Sequence, residues 1–190
     1  MIAIISQNAQ ELYKIAPILE ELQRQSLRYI LFQWYEEYEK NEITEILEIF
    51  RIKGVINLLT LNPNGQLIGL IQQFLLLFEE VQASIVILSN HTRLGLAAVL
   101  AAKELSLPVI SIEAGLRSFD NAKNSEIYHR MIDTAANLLF TPSEKALVNL
   151  YYEGVEPNRA FYSGTTLIEA LNRMNTIDSE LKKKLKKIIE

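Results

Sequence analysis

VISIEAGLRSFD, residues 109 to 120, decides the reading of this chain. Val109 to Ile112 is an apolar-leaning run that ends on a carboxylate, Glu113, with Ala114, Gly115 and Arg117 close behind. A short apolar run bounded by a turn reads as a buried strand of a parallel sheet. Ligands gather beyond the carboxyl ends of such strands, and Glu113 is the first polar residue there. The same unit recurs on both sides. Ile85 to Leu88 is a strand, Ser89 to Thr92 a turn, and Leu94 to Leu105 an alanine-rich helix able to pack close to a sheet. Downstream, Glu126 to Thr134 is helical, Asn137 to Phe140 a strand, and Pro142-Ser143-Glu144 opens a helix that Gly154 ends.

The remainder follows the alternation. Ile2 to Ile5, Tyr29 to Phe32, Val55 to Leu58 and Phe161 to Tyr162 read as strands. Helical spacing appears over 11–25, 36–51, 67–81 and 167–174, with Pro17 expected to kink or restart the first of these. Asn62 to Gly65 is a turn by composition. The stretch 67–81 is apolar nearly all round, which suits a helix between layers or in a contact between two copies. Repeated strand–helix units mean an α/β fold, a Rossmann-like three-layer domain with a mainly parallel sheet over residues 1–174. Residues 175–190, with Asp178 as a cap and lysines between Leu181, Leu185, Ile188 and Ile189, read as an amphipathic helix or hinge remnant.

Bulk properties narrow the function. The chain has 190 residues, 49% hydrophobic and 22% charged, with a formal net charge of -4. That is an ordinary globular composition, and no basic patch interleaved with aromatics points to nucleic acid. There are no cysteines, which excludes disulfides and thiol catalysis and fits a reducing, cytoplasmic setting. The longest greasy stretch, 67–78, is broken by Gln72 and Gln73 and falls short of the ~20 residues that span a bilayer, so no membrane association is expected.

Three polar turns follow strands: Gln7 to Glu11, Ser89 to Thr92, and Glu113 to Glu126. In a doubly wound sheet they can converge on one crevice. The turn at Ser89 to Thr92 opens a helix, but Asn90 stands where close phosphate approach favours glycine. His91 is one of two histidines; at a strand-to-helix turn such a side chain is either a cap or a proton carrier. His129 carries less signal. Glu126 and Arg130 have the i, i+4 spacing of a helix ion pair, worth a few tenths of a kcal/mol (~0.3) at a surface.

Taken together, SIEAGLRSFD, SEIYHR, FTPSEKALVNLYYEGV and SGTTLIEAL resemble the non-hydrolysing UDP-N-acetylglucosamine 2-epimerases, whose pattern there reads HVEAGLR, PEExNR, FxPTxxxxxNLLxEGV and TGNTVIDAL. The resemblance implies the N-terminal half of a glycosyltransferase-B-type fold, with a nucleotide-binding second domain supplied in cis or in trans, and a homodimer. It implies conversion of UDP-N-acetylglucosamine to UDP-N-acetylmannosamine by elimination and re-addition of UDP, with no cofactor and no metal. Elimination needs acid/base groups near both faces of the sugar and stabilisation of the leaving phosphate. The resemblance carries Glu113 and Glu126 into catalytic roles. It brings Lys14 and Glu11 (from GTRPExxK), Arg130, Gln66 (from GQSL, a regulatory substrate site) and Arg117 into substrate contact. The departures are as specific. The arginine of GTRPE falls at Ala9, and the aspartate and glycine of HGDT fall at His91 and Asn90. The family's TGQH has no counterpart near Gln33 to Glu36, and PEExNR carries Ile127 and His129 in place of its second glutamate and its asparagine. His91 would then move protons with inverted charge logic, neutral as a base and cationic as an acid. The alternative expectation is a degenerate, non-catalytic homologue kept as a binding or assembly partner.

Overall fold

A computed structural model of the chain describes residues 1–52, 55–58, 65–89 and 91–175. The elements run β1 (Ile2–Gln7), α1 (Ala9–Arg24), β2 (Tyr29–Trp34), a 3₁₀ turn (Glu37–Glu39), α2 (Lys40–Ile49), β3 (Val55–Leu58), α3 (Leu67–Glu80), β4 (Ile85–Leu88), α4 (Arg93–Glu104), β5 (Val109–Ile112), α5 (Asn124–Ala135), β6 (Leu138–Thr141), α6 (Glu144–Tyr152), β7 (Ala160–Tyr162) and α7 (Thr166–Asn175). The seven strands form one sheet in the order β3-β2-β1-β4-β5-β6-β7, and every pairing is parallel. The expected α/β architecture with a parallel sheet is therefore the observed one.

The sheet is apolar on both faces because helices cover both. Ala3, Ile5, Phe32, Val86, Leu88 and Val109 face α3 and α4, with Phe74, Phe78 and the alanines of α4 packed on them. Ile4, Leu31, Ile87 and Ile112 face the other layer, where α1 and α2 contribute Leu12, Ile15, Leu19, Ile43 and Ile46. Ala170 of α7 joins that layer, and Arg173 reaches Glu20 of α1 at 2.9 Å. Between α1, α7 and the sheet remains an apolar cleft of about 260 Å³ lined by Ile18, Ile87, Ile110, Ile112 and Phe140.

Three local readings shift. α1 continues through Pro17 without restarting, since a buried stripe of Leu12, Ile15, Ala16 and Leu19 holds it on the sheet. The acidic segment 36–51 divides into a 3₁₀ turn and a shorter helix. α3 buries only Leu70, Phe74 and Phe78 fully, whereas Ile68 and Leu76 are 69% and 68% exposed. Its apolar circumference is thus half core and half surface. No helix among the described residues is long and apolar enough to cross a membrane. The expected turn at 62–64, Asn90 and the expected terminal helix from 178 onward lie outside the described residues.

The order in which strands are added reverses between β1 and β4, the point where carboxyl ends of adjacent parallel strands open a crevice. Gln7, which ends β1, and Ser89 and Glu113, which follow β4 and β5, stand along that edge.

Candidate active site

Glu113 leaves β5 in a left-handed conformation, φ 59°. That region is costly for a residue with a Cβ and persists only where the surroundings impose it. The imposition is visible: Ala114 N–H donates to the Phe140 carbonyl at 3.0 Å, and Gly115 is locked from both sides. Its N–H donates to Asp133 Oδ2 at 2.9 Å and its carbonyl accepts from Asn149 Nδ2 at 2.9 Å. At φ 78° a Cβ on Gly115 would lie 2.2 Å from the Ala146 carbonyl oxygen, so glycine is obligatory. The Glu113 side chain is buried, and its Oε1 has no hydrogen-bond partner among the described residues. A buried acceptor left unmatched is a group waiting for a ligand, water or proton.

Glu126, in the first turn of α5, is differently placed. It is 1% exposed, and its Oε2 accepts from Ser118 N–H at 2.8 Å and Ser118 Oγ at 3.0 Å. Its Oε1 accepts from Arg130 Nε at 3.0 Å. Burial would raise its pKa, but the Ser118 and Arg130 hydrogen bonds outweigh it and hold the carboxyl below its ordinary value. Glu126 therefore stays ionised and pins the loop that Glu113 begins. The pair with Arg130 has one buried end, so it is more than the surface ion pair its spacing suggests.

Arg117 turns inward. Its Nη1 donates to Asp133 Oδ2 at 2.8 Å, and Nε and Nη2 grip Glu153 at 2.9 and 2.6 Å. Burial opposes its charge, yet Glu153 and Asp133 more than restore it. Both carboxylates hold its guanidinium inside the protein, as a clamp on the loop.

His91, just after β4, sits in the middle of this arrangement. Its Nε2 lies 3.1 Å from Ser111 Oγ and 3.4 Å from Asp133 Oδ1. Its ring stacks on His129 with centroids 4.3 Å apart and planes within 7°. Burial first, then the nearby His91 and Arg117, push the His129 pKa down to about 4, against the pull of Asp133 and Glu126. Asp133 itself is held below the carboxylate range because His91, Arg117 and Gly115 N–H overcome its burial. Sequence reasoning passed over Asp133. The signal was its position on α5, seven residues after Glu126 and four after His129, which puts all three on one helix face.

The turn after β1 completes the edge. Thr92 Oγ1 donates to Gln7 Oε1 at 2.5 Å, tying the β1 and β4 turns together. Glu11 Oε2 accepts from Gln7 N–H at 3.0 Å. Burial raises the Glu11 pKa, while Gln7 N–H and the charges of Lys14 and His91 oppose the rise. Glu11 is thus within electrostatic reach of both Lys14 and His91. Gln66 is exposed ahead of α3, and the carbonyl of its neighbour Gly65 accepts from Arg93 Nη1 at 3.3 Å. Among the described residues no three or more His, Cys, Asp or Glu side chains are grouped to hold a metal ion. The arrangement suits proton transfer beside fixed charge: Glu113 unmatched, His91 against a carboxylate, Glu126 and Arg117 as ionised supports.

The sequence profile of the family described as UDP-N-acetylglucosamine 2-epimerase matches residues 19–190. The UDP-N-acetylglucosamine 2-epimerase of Methanocaldococcus jannaschii is 30% identical over 174 residues, which is 89% of this chain and 47% of that protein. The crystal structure of the enzyme from the same organism, in complex with UDP-GlcNAc and UDP, superposes with a TM-score of 0.84 at 24% identity over 98% of this chain and 53% of that one, a likeness of fold. The Neisseria meningitidis UDP-GlcNAc 2-epimerase bound to UDP-GlcNAc gives a TM-score of 0.83 at 25% identity, covering 96% of this chain and 51% of that one. The chain thus spans about half the length of the relatives it matches, and corresponds to their N-terminal half.

Proposed function

The chain belongs to the UDP-N-acetylglucosamine 2-epimerase family, and from that membership we propose that it forms the acid–base side of a cleft that interconverts UDP-N-acetylglucosamine and UDP-N-acetylmannosamine. A second, nucleotide-binding half, in cis or in trans, completes the cleft. In this reading a base takes the C2 proton as the C1–O bond to UDP breaks, leaving a glycal. UDP then adds back at C1 while a proton reaches C2 from the other face. Glu113 and His91 are the proton carriers. Glu126 serves as a fixed charge that shapes the loop, which is a narrower role than acid or base. Lys14 and the exposed part of Arg130 contact the diphosphate, and Glu11 orients the site beside Lys14. Gln66 belongs to a separate, regulatory substrate contact. The exposed side of α3 meets a second copy, and the cytoplasmic setting belongs to the same proposal.

One observation carries the reading: a carboxyl at the end of β5, in strained backbone, with a buried oxygen that nothing among the described residues satisfies. The decisive experiment mixes the chain with the matching second half of a family member and UDP-N-acetylglucosamine, and follows UDP-N-acetylmannosamine by proton NMR. Turnover that Glu113→Gln removes supports it; turnover indifferent to Glu113→Gln, or none at all, rejects it.

A second reading has its own support. Ala9 and His91 replace the arginine and aspartate of the family pattern, and both oxygens of Glu126 are engaged inside the protein. A binding or assembly partner without turnover would keep UDP or UDP-sugar affinity in the reconstituted pair while showing no product.

A further inference from the structure

We propose that Asp133 and Ser111 are positioning residues that make His91 a one-sided proton carrier, with Nε2 bearing the permanent proton and Nδ1 exchanging protons with the substrate. The proposal rests on the epimerase reading for its substrate, but the couple itself is a property of this chain. Asp133 lies outside the motifs that carry the resemblance, and Ser111 opens SIEAGLRSFD, where the family pattern has a histidine.

Asp133 is 1% exposed. Its Oδ2 is taken by Gly115 N–H and by Arg117 Nη1, which leaves Oδ1 for Ser111 Oγ and His91 Nε2, each at 3.4 Å. An ionised carboxylate only accepts hydrogen bonds. The Ser111 hydroxyl therefore donates to Asp133, and its own lone pair accepts from His91 Nε2–H at 3.1 Å. The direction of the chain fixes the tautomer: a proton on Nε2 and a bare lone pair on Nδ1. The same carboxylate stabilises the imidazolium when Nδ1 takes a proton, as a buried carboxylate does behind any catalytic histidine.

His129 makes the carrier single. It lies parallel to His91 at 4.3 Å, and its Nδ1 is buried without a partner among the described residues. Burial, His91 and Arg117 all disfavour a charge on it. The charged and titratable groups around the couple are Asp133, His129 and Glu126 on α5, Arg117 in the loop after β5, and Glu11 on α1. This explains how a histidine can stand at a position where the family pattern has an acid. In this chain a carboxylate, Asp133 on α5, stands behind the ring, and the ring is the group that moves protons.

The test is ¹⁵N NMR of the imidazoles in the full 190-residue chain from about pH 5 to 8. Two histidines make assignment direct, with His129→Gln identifying His91. Neutral His91 is expected as the Nε2–H form. Asp133→Asn and Ser111→Ala should each weaken its proton affinity, about tenfold for Asp133→Asn, and mix the tautomers. An Nδ1–H form in the wild type overturns the proposal. So does an unchanged tautomer and pKa in Ser111→Ala with wild-type circular dichroism, which decides the matter even where Asp133→Asn fails to fold. In the reconstituted pair, the acid limb of the kcat/KM profile should move in Ser111→Ala by the shift NMR records. Since the NMR signature needs no turnover, an intact couple in a pair that makes no product overturns the epimerase reading alone.

Discussion

Glu113 and Gly115 both have positive φ, but for opposite reasons. Gly115 is forced: the Ala146 carbonyl occupies the space a Cβ would need. Gly115→Ala adds left-handed strain to a clash with backbone that cannot step aside, so we expect a loss of about 2–4 kcal/mol in urea denaturation. Glu113 is a residue for which glycine would be better. Glu113→Gly relieves the backbone and removes a buried, unpaired oxygen. It should gain about 1 kcal/mol by the same assay while abolishing any turnover in the reconstituted pair. A gain in stability with loss of function is the mark of strain kept for chemistry.

Among the elements, α3 and α5 show how a helix serves two neighbours. The inner stripe of α3, Leu70, Phe74 and Phe78, closes the core, with Phe74 and Phe78 rings 5.5 Å apart. Phe74→Ala should cost about 3–5 kcal/mol. Leu76 lies on the outer side, and Leu76→Glu should leave stability within about 0.5 kcal/mol. If the outer side joins two copies, the same change lowers the mass seen in light scattering at equal concentration. A dimer unaffected by Ile68→Glu with Leu76→Glu would place the contact elsewhere. α5 divides its inner face by chemistry. Ile132 enters the core, whereas Glu126, His129 and Asp133 line the carboxyl edge of the sheet.

At the scale of the molecule, these groups set how stability depends on pH. His129 has a folded pKa near 4 against an ordinary 6.5, so folding favours its neutral form. Its contribution is full above pH 6.5 and is lost as pH falls toward 4, on the order of 2 kcal/mol after allowing for partial exposure. Glu11 acts oppositely: its raised pKa makes folding easier as pH falls through that value. Asp133 and Glu126, both depressed, contribute above their ordinary 3.8 and 4.5 and lose that support only at lower pH. The His129 contribution lowers the melting temperature between pH 6.5 and 4, so over that range His129→Gln should lose less stability than the wild type. The alternation of short apolar strands with amphipathic helices was enough to establish a parallel α/β sheet, because such strands are buried on both faces and helices must cover them. The motif at 113–117 was enough to place a carboxylate at a strand end. Which side chains meet was a matter for the tertiary structure. The contacts of His91 with Ser111 and Asp133 and the grip of Arg117 on Glu153 join positions 20, 42 and 36 residues apart in sequence. No local period encodes such distances, and only the strand order brings them within hydrogen-bonding reach.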